Sequence, residues 1–435
     1  MKIQFKQLNK SICSGLILFL FVFGACQSAS TESRDSNPSG NHQTAGLTLK
    51  EGFSAMVVAD NLGRGRHIAV NDNGDIYVSL RQENKDGGVA ALRDTTGDGK
   101  ADIIRYFSEH AGTGIGLYKG YLYVGPDYGV YRYKMTNGQL VPDSEAEAIA
   151  TGFPDQGQHA VKPFTFDDEG NIYVNVGGPS NACMEETRTK GSPGMDPCPQ
   201  LERQAGIWRF KAEELNQDQV ADGYRYATGI RNAVALDWNH ANNTLYVVQH
   251  GRDQLHQFFP DIYTEQESAD LPAEEFFLVE EGSDFGWPYC YYDQLQDKKV
   301  LAPEYGGDGS TTGRCEDKVD PIMAFPGHVA PNDLLFYTGN QFPERYQNGA
   351  FIAFHGSWNR GPFEEEGFYV MFVPMKNGLP SGDWEIFADG FAGGGPIENT
   401  GDAQYRPCGL AEGPDGSLYV VDSNDGRLWR ISYGN

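Results

Sequence analysis

Histidines, arginines and amides recur at one position of a repeated unit in this sequence. Arg66 and His67 precede the apolar run "IAV", and His110 and Thr113 precede "GIGLY". His159 precedes "AVKPFTF", Arg231 and Asn232 precede "AVALDW", His328 and Asn332 precede "DLLFY", and Arg406 precedes "PCGLAEG". A further stretch, "FIAFHGSWNRG", starts as an apolar strand and ends by presenting His355, Trp358 and Arg360. Arginines that converge on one place suit a planar anion bearing carboxylates, because the guanidinium fork pairs bidentately with them. Such a cluster is the more informative in a chain with 34 basic against 60 acidic residues. Each residue taken alone reads as a loop-tip hydrogen bond; the recurrence points to a pocket with convergent polar groups.

The elements that must position these residues also repeat. A Gly/Asp/Asn turn followed by a β-rich strand occurs in "NDNGDIYVSL", "LYKGYLYVGP", "DDEGNIYVNV", "HANNTLYVVQ", "YQNGAFIAFH" and "GPDGSLYVVD". Tyr77, Tyr123, Tyr173, Tyr246 and Tyr419 share one register, with Ile352 in the fifth copy. A second short strand such as "GVYRYKM" or "GIWRFK" follows most copies, so each unit reads as a hairpin of alternating β-branched and aromatic residues. Six units at intervals of about 50 residues or more predict an all-β fold, a six-bladed β-propeller with loop insertions. "GFSAMVVADNL" near the start is placed to complete the last blade. Irregular spacing argues against a β-helix, and six copies exceed a simple sandwich. In a propeller the strand before each turn is innermost, so the polar residues listed above would ring one central channel.

The first 25 residues read as a signal peptide: a basic start, the apolar core "GLILFLFVFGA", and small residues before Cys26. Cleavage there and lipidation of Cys26 would make an exported periplasmic or cell-envelope lipoprotein, touching the membrane only through its anchor; the alternative is an ordinary secretory signal. Residues 26–47 read as a polar tether and 48–435 as the propeller domain. Without the leader's three lysines the chain carries 31 basic and 60 acidic residues, a net charge of -29, which excludes nucleic acid as an expected partner. In an exported protein Cys183 with Cys198, and Cys290 with Cys315, are expected disulfides, leaving Cys408 as a buried thiol. No C-x-x-C-H haem attachment, G-x-G-x-x-G nucleotide site or G-x-S-x-G elbow occurs.

The stretches "TGIRNAVALDW", "VVQHGRDQL", "EEGSDFGWPYCYYD", "FHGSWNRG" and "RPCGLAEGPDGSLYVVD" resemble the glucose/sorbosone dehydrogenases, in their sorbosone and pyranose dehydrogenase branch, over about residues 48 to 433. The resemblance implies an exported six-bladed propeller using pyrroloquinoline quinone (PQQ) and calcium. It would oxidise an aldose or related hydroxy-aldehyde by hydride transfer to PQQ and pass electrons to an external cytochrome or quinone. His159 matches the family's general base and Arg231 with Asn232 its Arg-Asn pair, Arg231 stabilising charge on the quinone oxygen. The backbone carbonyls of Gly251 and Arg252 match the calcium turn. Arg66, His67 and Arg406 would join Arg231 and Asn232 around the cofactor. Where the glucose enzymes offer a lysine from the fifth blade, this chain offers His355, Trp358 or Arg360; Lys162 is another carboxylate partner.

Two further constellations stand apart. "DTTGDGKAD" sets Asp94, Asp98 and Asp102 at the offsets of a second calcium loop, although an Asp/Gly hairpin turn explains them better and the closing Glu is replaced by Arg105. Trp287 and "PYCYYD" read either as a sugar cleft or as a disulfide-clamped packed insertion. The competing functions are a calcium-dependent propeller lactonase, which would want carboxylates in the ring, and a non-catalytic binding module.

Overall fold

The structure is a computed structural model that describes residues 44–84 and 86–434. The predicted signal peptide, Cys26 and most of the tether lie outside the described residues. Six sheets of four or five strands, antiparallel but for the parallel pair Glu147–Thr151 with Gln217–Asp218, follow one another around the chain in the six-bladed propeller arrangement. Their innermost strands are Gly65–Val70, Gly112–Tyr118, Phe164–Phe166, Ala235–Asn239, Pro331–Phe336 and Pro407–Glu412. The repeated strands of the sequence are the second strands of the blades, for example Ile76–Asn84 and Asn171–Val176. Their residues are buried because both faces of a blade are covered by neighbouring blades.

Three of the five register tyrosines link neighbouring blades, whereas Tyr173 donates to Asp167 of its own blade at 3.0 Å. Tyr77 Oη donates to the Leu140 carbonyl at 2.9 Å, Tyr123 to Ala212 at 2.8 Å and Tyr246 to Gly378 at 2.7 Å. Each acceptor lies just beyond the third strand of the next blade, so each tyrosine fastens one blade to its successor. Ile352 has no hydroxyl; there Tyr337 donates to Gly416 at 2.6 Å. Polar side chains on the inner strands make a second belt: Asp237 accepts from Phe336 N–H at 3.0 Å and Asp333 from Leu410 N–H at 2.7 Å.

Ring closure joins the two ends of the chain. Phe53–Ala59 is the outermost strand of the last blade and pairs antiparallel with Leu428–Tyr433, as the sequence predicts. Thr48–Leu49 pairs with Glu385–Asp389 on the fifth blade, and Leu47 is already buried, so packing begins within the last residues of the predicted tether. Both predicted disulfides are present, Cys183–Cys198 and Cys290–Cys315, each in an insertion, and Cys408 is a buried free thiol.

The Asp94 loop is a hairpin turn. Asp94 accepts N–H bonds from Thr96, Gly97 and Gly99, Asp98 from Lys100, and Asp102 from Thr95 and Thr96. Their carboxylates fold the loop on its own backbone, and among the described residues no group of three or more His, Cys, Asp or Glu is arranged to hold a metal. The loop thus takes the turn form that the sequence favoured at Asp94, Asp98 and Asp102.

Candidate active site

Four segments from blades three and four converge on His159, Gly178, Arg231 and Gly251. His159 ends the loop leading into Phe164–Phe166, with φ at 53°. Its Nδ1 donates to the Gly178 carbonyl at 2.6 Å, which leaves Nε2 as the lone-pair nitrogen. Gly178 N–H donates to the Arg231 carbonyl at 2.7 Å, so the two backbone groups of one glycine hold both predicted catalytic residues. The approach needs glycine: a Cβ at Gly177 would lie 2.6 Å from the His159 Cβ and 2.8 Å from Asn232 Oδ1, and one at Gly178 would meet the Trp287 ring at 2.7 Å. Burial, then the Arg231 charge, lower the His159 pKa to about 3, so this imidazole is neutral at physiological pH.

Arg231 is buried and makes four side-chain hydrogen bonds. Nε donates to the Asn181 carbonyl at 3.2 Å, Nη1 to the Gly251 carbonyl at 2.8 Å, and Nη2 to Asn181 Oδ1 at 3.1 Å and Asp253 Oδ2 at 2.9 Å. Asp253 also accepts from Arg188 at 2.8 Å and from Asn359 at 3.0 Å. The arginine charges beside it and His328 outweigh its burial and hold its carboxyl well below the usual range. His250 sits next to this hub; its Nε2 donates to the Pro331 carbonyl at 2.8 Å, and burial lowers its pKa to about 4. His250, Asp253 and Asn181 are functional-site residues the sequence reading passed over. The run "QHGRDQ" contains two of them, and a His and an Asp flanking Gly251 were the available signal.

At the other side of the mouth Arg66 donates Nε to Thr113 Oγ1 at 3.1 Å. Arg406 donates to the carbonyls of His355 and Gly356, each at 2.9 Å, and burial brings its pKa down to about 10. Neither guanidinium makes an ion pair among the described residues. His355 Nε2 lies 2.5 Å from Ser423 Oγ and is held neutral by burial and by Arg406 and Arg66. Asn232 accepts from Asn175 at 3.3 Å beneath His159. Asn332 bonds the Cys408 sulfur at 3.6 Å.

Several predicted ligands point elsewhere. His67 reaches across to the Asn332 carbonyl at 2.7 Å, 3.8 Å from Asp333, and so lines the channel below the mouth. Lys162 is fully buried, its Nζ on the Ala160 carbonyl and 5.5 Å over the Phe153 ring; burial lowers its pKa to about 8. Arg360 turns to the Ala269 carbonyl at 2.7 Å and toward Asp270 and Glu366, because those acids and carbonyls surround it. Trp358 is 54% exposed on the rim. The Arg252 side chain is buried in an ion pair with Glu304, so only its backbone remains for a metal. His110 stacks on Tyr131, with ring centroids 3.9 Å apart, on the side of blade two. His328 donates to the Ser268 carbonyl at 2.8 Å and accepts from Asn359 at 3.3 Å. Trp287 is packed, its Nε1 on the Asn181 carbonyl at 3.0 Å, inside the cystine-clamped insertions.

The fold and the site define a six-bladed β-propeller whose channel mouth carries neutral imidazoles and arginines. The TrAA12-like family model matches residues 47–434, and the chain belongs to that family. It is similar to the pyrroloquinoline quinone-dependent pyranose dehydrogenase of Coprinopsis cinerea, 27% identical over 280 residues, 55% of this chain and 36% of that one. It is also similar to the pyrroloquinoline quinone-dependent sugar dehydrogenase of Hypocrea jecorina, 22% identical over 442 residues and 95% of each. Among solved structures the holo PQQ domain of the Coprinopsis enzyme superposes with a TM-score of 0.70 at 18% identity, covering 91% of this chain and 98% of that one. The chain spans 48% and 36% of the lengths of the first two curated relatives it matches.

Proposed function

We propose that this protein is a PQQ- and calcium-dependent dehydrogenase that oxidises an aldose or related sugar and hands the electrons to an external acceptor. The observation that carries this reading is the pair Arg66 and Arg406: two channel-mouth guanidiniums without ion-pair partners among the described residues, in a chain with 60 acidic residues. Free guanidiniums in so acidic a protein fit a cofactor that brings its own carboxylates. The names of the Coprinopsis and Hypocrea relatives support it.

Arg66 and Arg406 would hold the cofactor's carboxylates. The Gly251 carbonyl, with a lone pair left beside the bond from Arg231, and the Arg252 carbonyl would hold calcium, a hard cation that takes oxygen ligands. When bound, PQQ supplies a quinone that takes up hydride, and calcium polarises it. His159 Nε2 would accept the proton of the sugar hydroxyl, its tautomer set by the Gly178 carbonyl. Arg231 contributes a fixed positive charge, with Asn181, Gly251 and Asp253 holding it so that little reorganisation is needed during reaction. The depressed His159 pKa keeps the base unprotonated across the physiological range, at the cost of a weaker pull on the proton. The leader, the lipidated Cys26 and the tether belong to the same proposal, placing the enzyme in the cell envelope, and the two disulfides support an oxidising compartment.

The test is reconstitution of purified protein with PQQ and calcium, following dye reduction with a panel of aldoses and cofactor binding by absorbance. Dye reduction, with turnover falling by about 10²- to 10⁴-fold in His159→Asn while PQQ still binds, is expected. Absence of both cofactor binding and dye reduction overturns the reading, and hydrolysis of a lactone without PQQ replaces it.

A further inference from the structure

Trp358 stands on the rim of the mouth with 54% of its surface exposed, in an arrangement that is more than a stray surface aromatic. The Arg188 guanidinium lies 5.7 Å from the centre of its ring, over one indole face. Arg188 is itself fixed by Asp253 at 2.8 Å and by Gln254, and it belongs to the insertion closed by Cys183–Cys198. The loop that carries Trp358 is clamped from several sides. Ser357 N–H donates to the Glu366 carbonyl at 2.8 Å, Glu365 N–H to the Ile397 carbonyl at 2.8 Å, and Arg360 to the Ala269 carbonyl at 2.7 Å. The neighbouring Asn359 donates to Asp253 at 3.0 Å, while its Oδ1 is buried without a hydrogen-bond partner. Asp253 in turn holds Arg231 at 2.9 Å. A flat apolar surface, immobilised beside a guanidinium, is linked to Arg231 through Arg188 and Asp253. Such a surface fits the C–H face of a pyranose ring together with its hydroxyl groups.

We propose that Trp358, backed by Arg188 and edged by Asn359, forms a second sugar subsite outside the ring that is oxidised. The preferred substrates are then saccharides of at least two rings, with the reducing end at His159 and the next ring on the indole. This deepens the dehydrogenase reading and rests on it for the position of the oxidised ring.

The test measures binding to the full, reconstituted chain with ligands that lack a free anomeric hydroxyl: methyl glucoside against methyl cellobioside and methyl maltoside. Indole fluorescence and calorimetry serve as readouts. A disaccharide is expected to bind about tenfold more tightly than the monosaccharide, with a blue shift of emission as the exposed indole is covered. Trp358→Ala is expected to bring that ratio close to one, Trp358→Phe to keep part of it, and Arg188→Ala to reduce it. A ratio near one in the unaltered protein, or a ratio that survives Trp358→Ala, overturns the subsite. If dye reduction is absent with every sugar and the ratio persists, the subsite stands and the dehydrogenase reading falls. If Trp358→Ala instead slows reduction of a basic haem protein such as cytochrome c without changing the ratio, the subsite is overturned in favour of acceptor docking.

Discussion

The imidazoles of this protein divide by the partner each ring nitrogen finds. His159 gives Nδ1 to Gly178 and keeps Nε2 for chemistry, whereas His67 spends Nε2 on the Asn332 carbonyl across the channel. Burial lowers the His67 pKa to about 3, mainly by desolvation. An unfolded histidine takes up a proton near pH 6.5, which the folded chain resists until about pH 3. The contribution of neutral His67 to stability is therefore full above pH 6.5 and lost as pH falls. His67→Asn removes that loss, so the melting-temperature gap between the unaltered protein and the variant should move in the variant's favour between pH 7 and pH 4.5. A gap that does not change with pH would contradict the assignment. At this scale the sequence located His159, Arg231, Asn232, Arg66 and Arg406 at the mouth. It gave no means of seeing that His67, Lys162 and Arg360 turn away from it. Their directions depend on carbonyls and acids supplied by remote segments: Asn332 for His67, and Ala269 and Glu366 for Arg360.

Strands and insertions play different parts. The inner strands place the polar ring, and their pleat is set by local alternation and turn residues, which the sequence displays openly. The insertions build the outer wall. Cys183–Cys198 closes a 15-residue separation that contains Arg188, whose guanidinium joins Arg231 on Asp253. Replacing both cysteines by serine is expected to cost about 3 kcal/mol in denaturant unfolding, from the regained freedom of a loop of this length. It should also raise KM for sugar, because Arg188 is no longer tethered. Unchanged KM alongside lowered stability would show that the loop serves the fold alone. Insertions lack the repeat, so their residues Asn181 and Asp253 had no register by which the sequence could align them with the ring.

The whole molecule depends on closing a circle. The last blade is built from both chain ends, Phe53–Ala59 against Leu428–Tyr433, and Trp429 is fully buried there against Phe391 and Tyr405. Trp429→Ala is expected to cost about 3–5 kcal/mol, from lost burial and the cavity left behind. Loss of the closing blade should loosen the remaining ring, so thermal unfolding should shift as one transition when followed by both circular dichroism and tryptophan fluorescence. Separate transitions would mean that the blades melt independently.

By itself the sequence determined the propeller, its number of blades, its closure by the N-terminal strand, both disulfides and the ring of cationic and imidazole groups. Each of these follows from a repeat or from cysteine spacing, which are local or periodic properties of the chain. Only the tertiary structure decided which members of the ring face the mouth, that Asp253 gathers Arg231, Arg188 and Asn359, and that Arg66 and Arg406 find no ion-pair partner among the described residues. Those outcomes turn on which donors and acceptors from distant segments reach a side chain first, and proximity across blades is created by folding.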